Sequence, residues 1–561
     1  MTRPFLRRSG IPAGLLALTI ACAPAPPEKV ADLPNLDTAR VLADITRLSS
    51  DEFQGRAPGG EGERLTVEYL TTQFKAAGLE PGNQDGTYVQ KVPLVGLRPM
   101  VTSPFTVKQG GRSRTLRVLG DVVPFSTRVA EEVSLTDSEL VFVGYGIQAP
   151  EFGWDDFKGV DVKGKTVLML VNDPPVPGNG PGNLDPAAFG GKAMTYYGRW
   201  TYKFQKAAEM GAAGVLVIHE TEPAGYPFSV AQGMGGERFN LVTPDKNMSR
   251  AAVEGWISLE ATTELFTSAG LDFDALKARA ATKDFAPVSL KTTASVTLSQ
   301  TMRTVDSQNV IAKLTGSDPV LKDEYVIYSA HWDHLGVSTV PRDGDAINNG
   351  AMDNASGTAA MLEIARAFKA ITPAPKRSIV FLAVTAEEQG LLGSEYYAKF
   401  PLYPLDRTLA NVNVDGMNMW GRTSDVTVVG YGASDLDDYL AAAAAEQGRT
   451  LIPDPESEKG FYYRSDHFNF AKVGIPALYT DDGATFIDKP AGYGQQKRDE
   501  FNKRDYHAPS DEVKPDWDLA GLAEDGKLLL AVGYRVATAA TYPEWKPGNE
   551  FKAVRDKMLN R

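Results

Sequence analysis

The sequence predicts an α/β protein: a doubly wound, mostly parallel sheet, interrupted by an inserted mixed α/β module. Three observations predict it. From residue 325 onward, short apolar runs such as YVIYSA (325–330) and SIVFLAVTA (378–386) alternate with segments of helical spacing. Between about 120 and 290 the texture changes to dense Gly and Pro, with a strand–helix–strand order of its own. Histidines and carboxylates recur just after the apolar runs, where open α/β sheets bind ligands.

The 561 residues suffice for two or three domains, and 43% hydrophobic against 23% charged residues is the balance of an ordinary globular chain. The formal charge is −13, and about −16 once Arg3, Arg7 and Arg8 leave with a leader. An acidic chain without a polybasic run outside the leader excludes nucleic acid as the expected partner, because phosphate neutralisation needs clustered Lys and Arg.

Those arginines precede an apolar run from Ile11 to Ala21, too short to span a membrane and the length of a signal-peptide core. It stops at Cys22, the single cysteine, after Leu18-Thr19-Ile20-Ala21. This resembles a bacterial lipobox, with Thr19 where Leu is usual. Simple secretion with an idle Cys22 is the plainer reading; a lone cysteine at this boundary favours lipidation. The expected organisation is a signal peptide over 1–22, a Pro-rich tether over 23–35, a first segment of the main domain over 36–119, the insert over 120–289, a second segment of the main domain over 290–545 and a tail over 546–561. The expected location is periplasmic or on a bacterial outer membrane, with membrane contact only through the anchor.

The elements follow in order. Val41, Leu42, Ile45 and Leu48 have helical spacing, and Asp37 is placed to cap them. A second helix runs from about Glu63 to Ala77 and stops at Gly78, with loop between the two. In the insert, ELVFVGYGI (139–147), KTVLMLVND (165–173) and AGVLVIHE (213–220) read as strands, and YKFQKAAEMGA (202–212) as a helix. The alternation of KTTASVTLSQ (291–300) marks a return to sheet. Strands then follow at 325–330, 378–386, 408–415, 424–432 and 474–482. Helices are expected at 354–369, 392–400 and 436–448.

The chemistry collects behind the strands. His331 and Asp333 follow the first, Asp353 opens a helix, Glu387 and Glu388 follow the second, and Asp415 the third. RDYHAPSDE (504–512) adds Tyr506, His507 and Asp511. Imidazoles and carboxylates are zinc ligands, thiolates are excluded by the single leader cysteine, and HExxH is absent. Three ligand carboxylates would leave one Zn²⁺ net negative; two Zn²⁺ balance them together with a hydroxide. Glu387 and Glu388 need different roles, since a ligand's lone pairs are committed and a general base must keep its own free. The sequence does not say which is which.

The chain here resembles the co-catalytic di-zinc aminopeptidases, a family that includes glutamate carboxypeptidase II. Its pattern of HxD, Asp before a small-residue helix, EE, Asp and His appears as His331-Trp332-Asp333, Asp353-Asn354-Ala355-Ser356-Gly357, Glu387-Glu388, Asp415 and His507. GRAPGGEGE (55–63), RSDHFNFAKVGIPAL (464–478) and YHAPSDE (506–512) also match. The resemblance implies a zinc-exopeptidase fold with two Zn²⁺ ions. One is held by His331, Asp353 and Asp415, the other by Asp353, Glu388 and His507. Glu387 is then the general base, Asp333 orients His331 through its second ring nitrogen, and Tyr506 stabilises the oxyanion. A cis peptide is expected after Asp353. The insert resembles a protease-associated (PA) domain, through GKTVLMLVND and KAAEMGAAGVLVIHE, which implies a lid rather than catalysis.

The remaining histidines have plainer readings. His219 is expected to be structural, His334 a neighbour of the site, and His467, with Asp466, either support for the site or core. Trp420 and Phe461-Tyr462-Tyr463 either line a substrate pocket or pack. The expected function is a zinc-dependent exopeptidase, an aminopeptidase removing N-terminal residues from peptides through a two-metal-activated water. A carboxypeptidase of the glutamate carboxypeptidase type, needing cations such as Arg464, and a non-catalytic binding protein on a peptidase fold are the alternatives.

Overall fold

In the computed structural model, which describes residues 33–180 and 182–561, two lobes share one very long strand, Val288–Leu314. The leader and Cys22 lie outside the described residues. The strand's first part pairs antiparallel with Glu132–Phe142 in the insert, its middle with Val89–Val101, and its end with Ser378–Val384 in the peptidase lobe.

The peptidase sheet has four parallel strands at its centre, in the order Ser378–Val384, Tyr325–His331, Thr408–Asn413, Ala477–Asp481. Antiparallel neighbours flank them: the long strand on one side, and Asp425–Val429 on the other, itself parallel to Thr450–Pro453. The sheet is buried on both faces, so its strands read as continuous apolar runs rather than alternating ones. Alternate residues nonetheless enter different cores. Val326, Tyr328, Ile379 and Phe381 face helices Thr38–Leu48, Gly357–Ala370 and Ala520–Thr538. Ile327, Val380 and Leu382 face Tyr397, Phe468 and Phe470. This is the expected doubly wound arrangement.

The first helix spans Thr38–Leu48, and the Asp37 carboxylate accepts the backbone N–H groups of Ala39 and Arg40. It buries Val41, Ile45 and Leu48, each contributing about 1.5–3 kcal/mol. The second spans Glu61–Ala76, with Gly78 beyond its end at φ +74°. The helix expected over 354–369 begins instead at Gly357. Asp353 has φ −109° and ψ 94°, and the Asp353–Asn354 peptide is cis, as the resemblance implied, so a wide turn precedes the helix.

Three boundaries differ from the sequence expectation. The insert's core does not start at 120: Phe105, Val107 and Leu116 pack with Leu140, Leu168 and Leu298. Strands Phe105–Gln109 and Arg112–Leu116 form a hairpin whose second register partner is the long strand, and hairpin alternation carries no mark of which lobe it joins. Residues 33–35 are not tether: Leu33 is buried in the peptidase core and Asn35 accepts a hydrogen bond from Lys527. Nor is 546–561 a loose tail. Phe551 is buried beside Trp545, and the Arg555 guanidinium donates to the carbonyls of Leu405 and Thr408.

Candidate metal centre

The residues singled out in the sequence converge at the carboxyl end of the central strands. His331 is the last residue of Tyr325–His331, Asp415 lies two residues beyond Thr408–Asn413, and Glu387 follows Ser378–Val384 across a sharp turn at Ala386, φ +53°. His507 comes from the far end of the chain, also at positive φ, +55°. Non-glycine residues rarely adopt this conformation, and such strain gathers at functional sites.

Two clusters share Asp353. One of its carboxylate oxygens lies 3.4 Å from His331 Nε2, and the other 3.3 Å from His507 Nε2. Asp415 lies 3.0 Å from His331 Nε2, and Glu388 3.0 Å from His507 Nε2. Glu387 is looser, 4.0 Å from His331 Nε2. Among the described residues, His331, Glu387 and Asp415 form one group with ligand atoms within 4.8 Å of one another, and His334, Asp353 and Glu388 a second.

The His331 Nδ1–H donates to the carbonyl of Asp333, 3.1 Å. In the neutral ring, Nε2 then turns a lone pair toward two carboxylates that have only lone pairs to offer. Such a site requires a proton or a metal cation between them. The His507 Nε2 likewise faces two carboxylates, Asp353 at 3.3 Å and Glu388 at 3.0 Å. The site therefore fits a bound metal cation.

Electrostatics agree. Burial alone would lower the His331 pKa, but Asp415, Glu387 and Asp353 override it and hold it well above the usual imidazole range. Burial and Asp353 push Glu388 up, but His507 and His334 prevail and hold it at about 2. Glu387 goes the other way: burial, with Asp415 and Glu388 beside it, raises it well above the carboxylate range against the pull of His331. Two adjacent glutamates are thus driven apart, one toward a ligand anion and one toward a proton carrier.

Asp333 works differently from the expectation. Its backbone carbonyl, not its carboxylate, holds His331; the carboxylate oxygen is 3.8 Å from Nδ1. The carboxylate instead accepts the N–H groups of Glu387, 3.0 Å, and Glu388, 3.4 Å. Asp511 has the matching role opposite, accepting the N–H groups of Met352 and Asp353 at 2.9 and 3.0 Å. Tyr506 stacks on His507, with centroids 3.9 Å apart, and lines the cavity. His334 donates from Nδ1 to Glu388, 2.6 Å. His467 packs between Tyr462 and Tyr479 with both ring nitrogens unpartnered, while Asp466 accepts from Ser394. His219 lies in the insert among Tyr226, Phe228 and Trp256.

Three residues were missed. The Asn354 side chain accepts the N–H groups of Gly357 and Gly416 and donates to the Val414 carbonyl, tying the Asp353 turn to the Asp415 loop. Tyr479 donates to the Asp415 carbonyl. Arg56 donates to carbonyls on both sides of the site. The small-residue stretch after Asp353 was a signal for the first, and GRAPGGEGE for the last; nothing local marked Tyr479. The cavity over the site, about 360 Å³, is lined by Trp420, Phe461, Arg464 and Tyr479, and by Gly225 of the insert.

A doubly wound α/β domain that gathers imidazoles and carboxylates beyond its parallel strands carries the ligand set of a metal centre. Residues 309–531 match the family model described as Peptidase family M28. Aminopeptidase YwaD of Bacillus subtilis (strain 168) is 29% identical over 259 residues, 45% of this chain and 48% of that protein. A probable zinc metalloprotease of Pyrenophora teres is 39% identical over 112 residues, 20% of this chain and 23% of that one. The chain spans less than half the length of these curated relatives. Among solved structures, the aminopeptidase from Aneurinibacillus sp. strain AM-1 has a TM-score of 0.47 at 21% identity, covering 89% of this chain and 94% of that one.

Proposed function

We propose that the protein is a zinc-dependent exopeptidase, an aminopeptidase removing N-terminal residues from peptides. Two Zn²⁺ ions would be held by His331, Asp353 and Asp415, and by Asp353, Glu388 and His507. The observation that carries the reading is Asp353, whose two oxygens face two different imidazoles at 3.4 and 3.3 Å. The family match and the names of the relatives support the same class.

Bound zinc would supply Lewis acidity toward the scissile carbonyl and make water acidic near neutral pH. The chain's own residues do the rest. Glu387, pushed by burial toward holding a proton, takes one from water and delivers it to the leaving amine. Asp333 fixes the backbone of both glutamates. Tyr506, on the cavity wall, offers its hydroxyl to the oxygen that becomes negative. The substrate's α-amine sits by Asp415. Gly225 brings the PA-like insert to the cavity rim, where it limits substrate size. Cys22 carries the lipid that anchors the exported enzyme.

Cleavage of aminoacyl anilides, run with and without chelator and with Glu387→Ala, tests the reading. Chelator-insensitive cleavage, or full activity in that variant, overturns it. Release of a C-terminal residue is a second reading with its own support. Arg464 and Arg199 form no ion pair among the described residues, and each has an Nε–H without an acceptor. Dipeptides with free or amidated C-termini separate the two, since only C-terminal release requires the carboxylate.

A further inference from the structure

Arg56 is buried to 1% exposure, yet touches no carboxylate. Its guanidinium donates to four backbone carbonyls. Nε–H reaches Trp332, 2.9 Å, between His331 and Asp333. One Nη reaches Leu48 and Asn349, at 2.8 and 2.6 Å, and the other Gly350, 2.8 Å, three residues before Asp353. The fit around it is tight. Gly55, at φ +64°, lies so close to the loops that a Cβ would meet the carbonyl of Asn348 at 2.4 Å and that of Gly336 at 2.8 Å. Asn349 returns the grip by donating to Ser49 and Asp51. An N-terminal hook thus holds, from outside the catalytic sheet, the two loops that carry His331 and Asp353.

We infer that Arg56 is a positioning residue for the metal centre: its forked guanidinium sets the spacing between the His331 loop and the Asp353 loop. The inference rests on the two-metal reading above. Only arginine has five donors in a planar fork, which is what four carbonyls from three chain segments require; lysine can satisfy part of the set. The charge has a second effect. Asp511, Asp333, Asp353 and Glu388 all lie within its field, so a permanent cation stands behind this cluster of carboxylates. Burial lowers the guanidinium to about 10, which still leaves it protonated at neutral pH.

The test uses the full chain, as wild type, Arg56→Lys and Arg56→Met, with Zn²⁺ alone as the probe. Zinc stoichiometry and stepwise affinity are measured by competition with a chelating indicator. Unfolding of the zinc-free proteins is followed separately. Wild type is expected to take two zinc ions. Partners of metal ligands typically affect affinity 10–100-fold, and Arg56→Met should lose about that much in the step served by His331 and Asp353, with Arg56→Lys intermediate. A merely structural arginine would lower the unfolding midpoint and leave both affinities unchanged, and that result overturns the inference. Should Arg56→Met not fold, Arg56→Lys decides by the same affinities. Wild type binding no zinc overturns the two-metal reading itself, which keeps the two failures apart.

Discussion

Replacing Asn354 by alanine removes one neutral side chain that bonds three backbone groups, two of them buried and one half-buried. Its Oδ1 accepts from Gly357 and Gly416, both 2.9 Å, and its Nδ2 donates to Val414, 3.0 Å. The Gly357 N–H keeps a second acceptor in the Asn354 backbone carbonyl, and Gly416 is half-buried, so the buried Val414 carbonyl is the group that loses most. A buried group left unpaired costs about 1–3 kcal/mol, and the weakened pairing of the other two brings the total to about 2–4 kcal/mol. For a domain of this size, each kcal/mol moves the melting temperature by about 2–4 °C, giving a drop of roughly 4–16 °C in the zinc-free protein. The same change unties the Asp353 turn from the Asp415 loop, so zinc affinity should fall about 10–100-fold. Differential scanning calorimetry and chelator competition read the two effects. A variant within about 1 kcal/mol of wild type, with unchanged zinc affinity, would refute the reasoning, because losing three hydrogen bonds, one of them to a buried carbonyl, costs more than that.

Other perturbations give separate signals. Glu387→Gln should lower turnover by about 10²–10⁴-fold while zinc content stays unchanged, since Glu387 lies farthest from the imidazole it faces; loss of zinc in that variant would make it a ligand. His467 has its pKa lowered by burial to about 3, against about 6.5 in the unfolded chain. The unfolded chain therefore binds the extra proton: this stability is fully present above pH 6.5 and is lost progressively as pH falls toward 3. Between pH 6.5 and 5 the loss is about 2 kcal/mol, and His467→Phe should flatten that part of a urea-midpoint profile. Phe551→Ala should cost about 3–5 kcal/mol in urea unfolding, against nearly nothing if 546–561 were a loose tail.

Much of the site was legible because its logic is carried by order along the chain. A parallel sheet puts the end of every central strand at one edge, so His331, Glu387 and Asp415 had to meet once the strands were recognised. Chain order could not say what each carboxylate touches. Asp333 lies two residues from His331 in sequence, yet its oxygens face the backbone of a loop more than fifty residues away. Glu387 and Glu388 are identical in composition and opposite in environment, and only the surrounding charges separate them.

By itself, the sequence determined the alternation of strands and helices, the place of the insert, and the set of imidazoles and carboxylates at the sheet edge. These follow from local periodicity and from the residues that lie just past each strand, both written along the chain. Only the tertiary structure decided the rest: that Phe105–Leu116 joins the insert's core, that 546–561 packs, and that Asn354 and Arg56 brace the ligand loops. Each of those depends on partners distant in sequence, where burial removes water and makes one particular carbonyl or carboxylate the partner a donor must find.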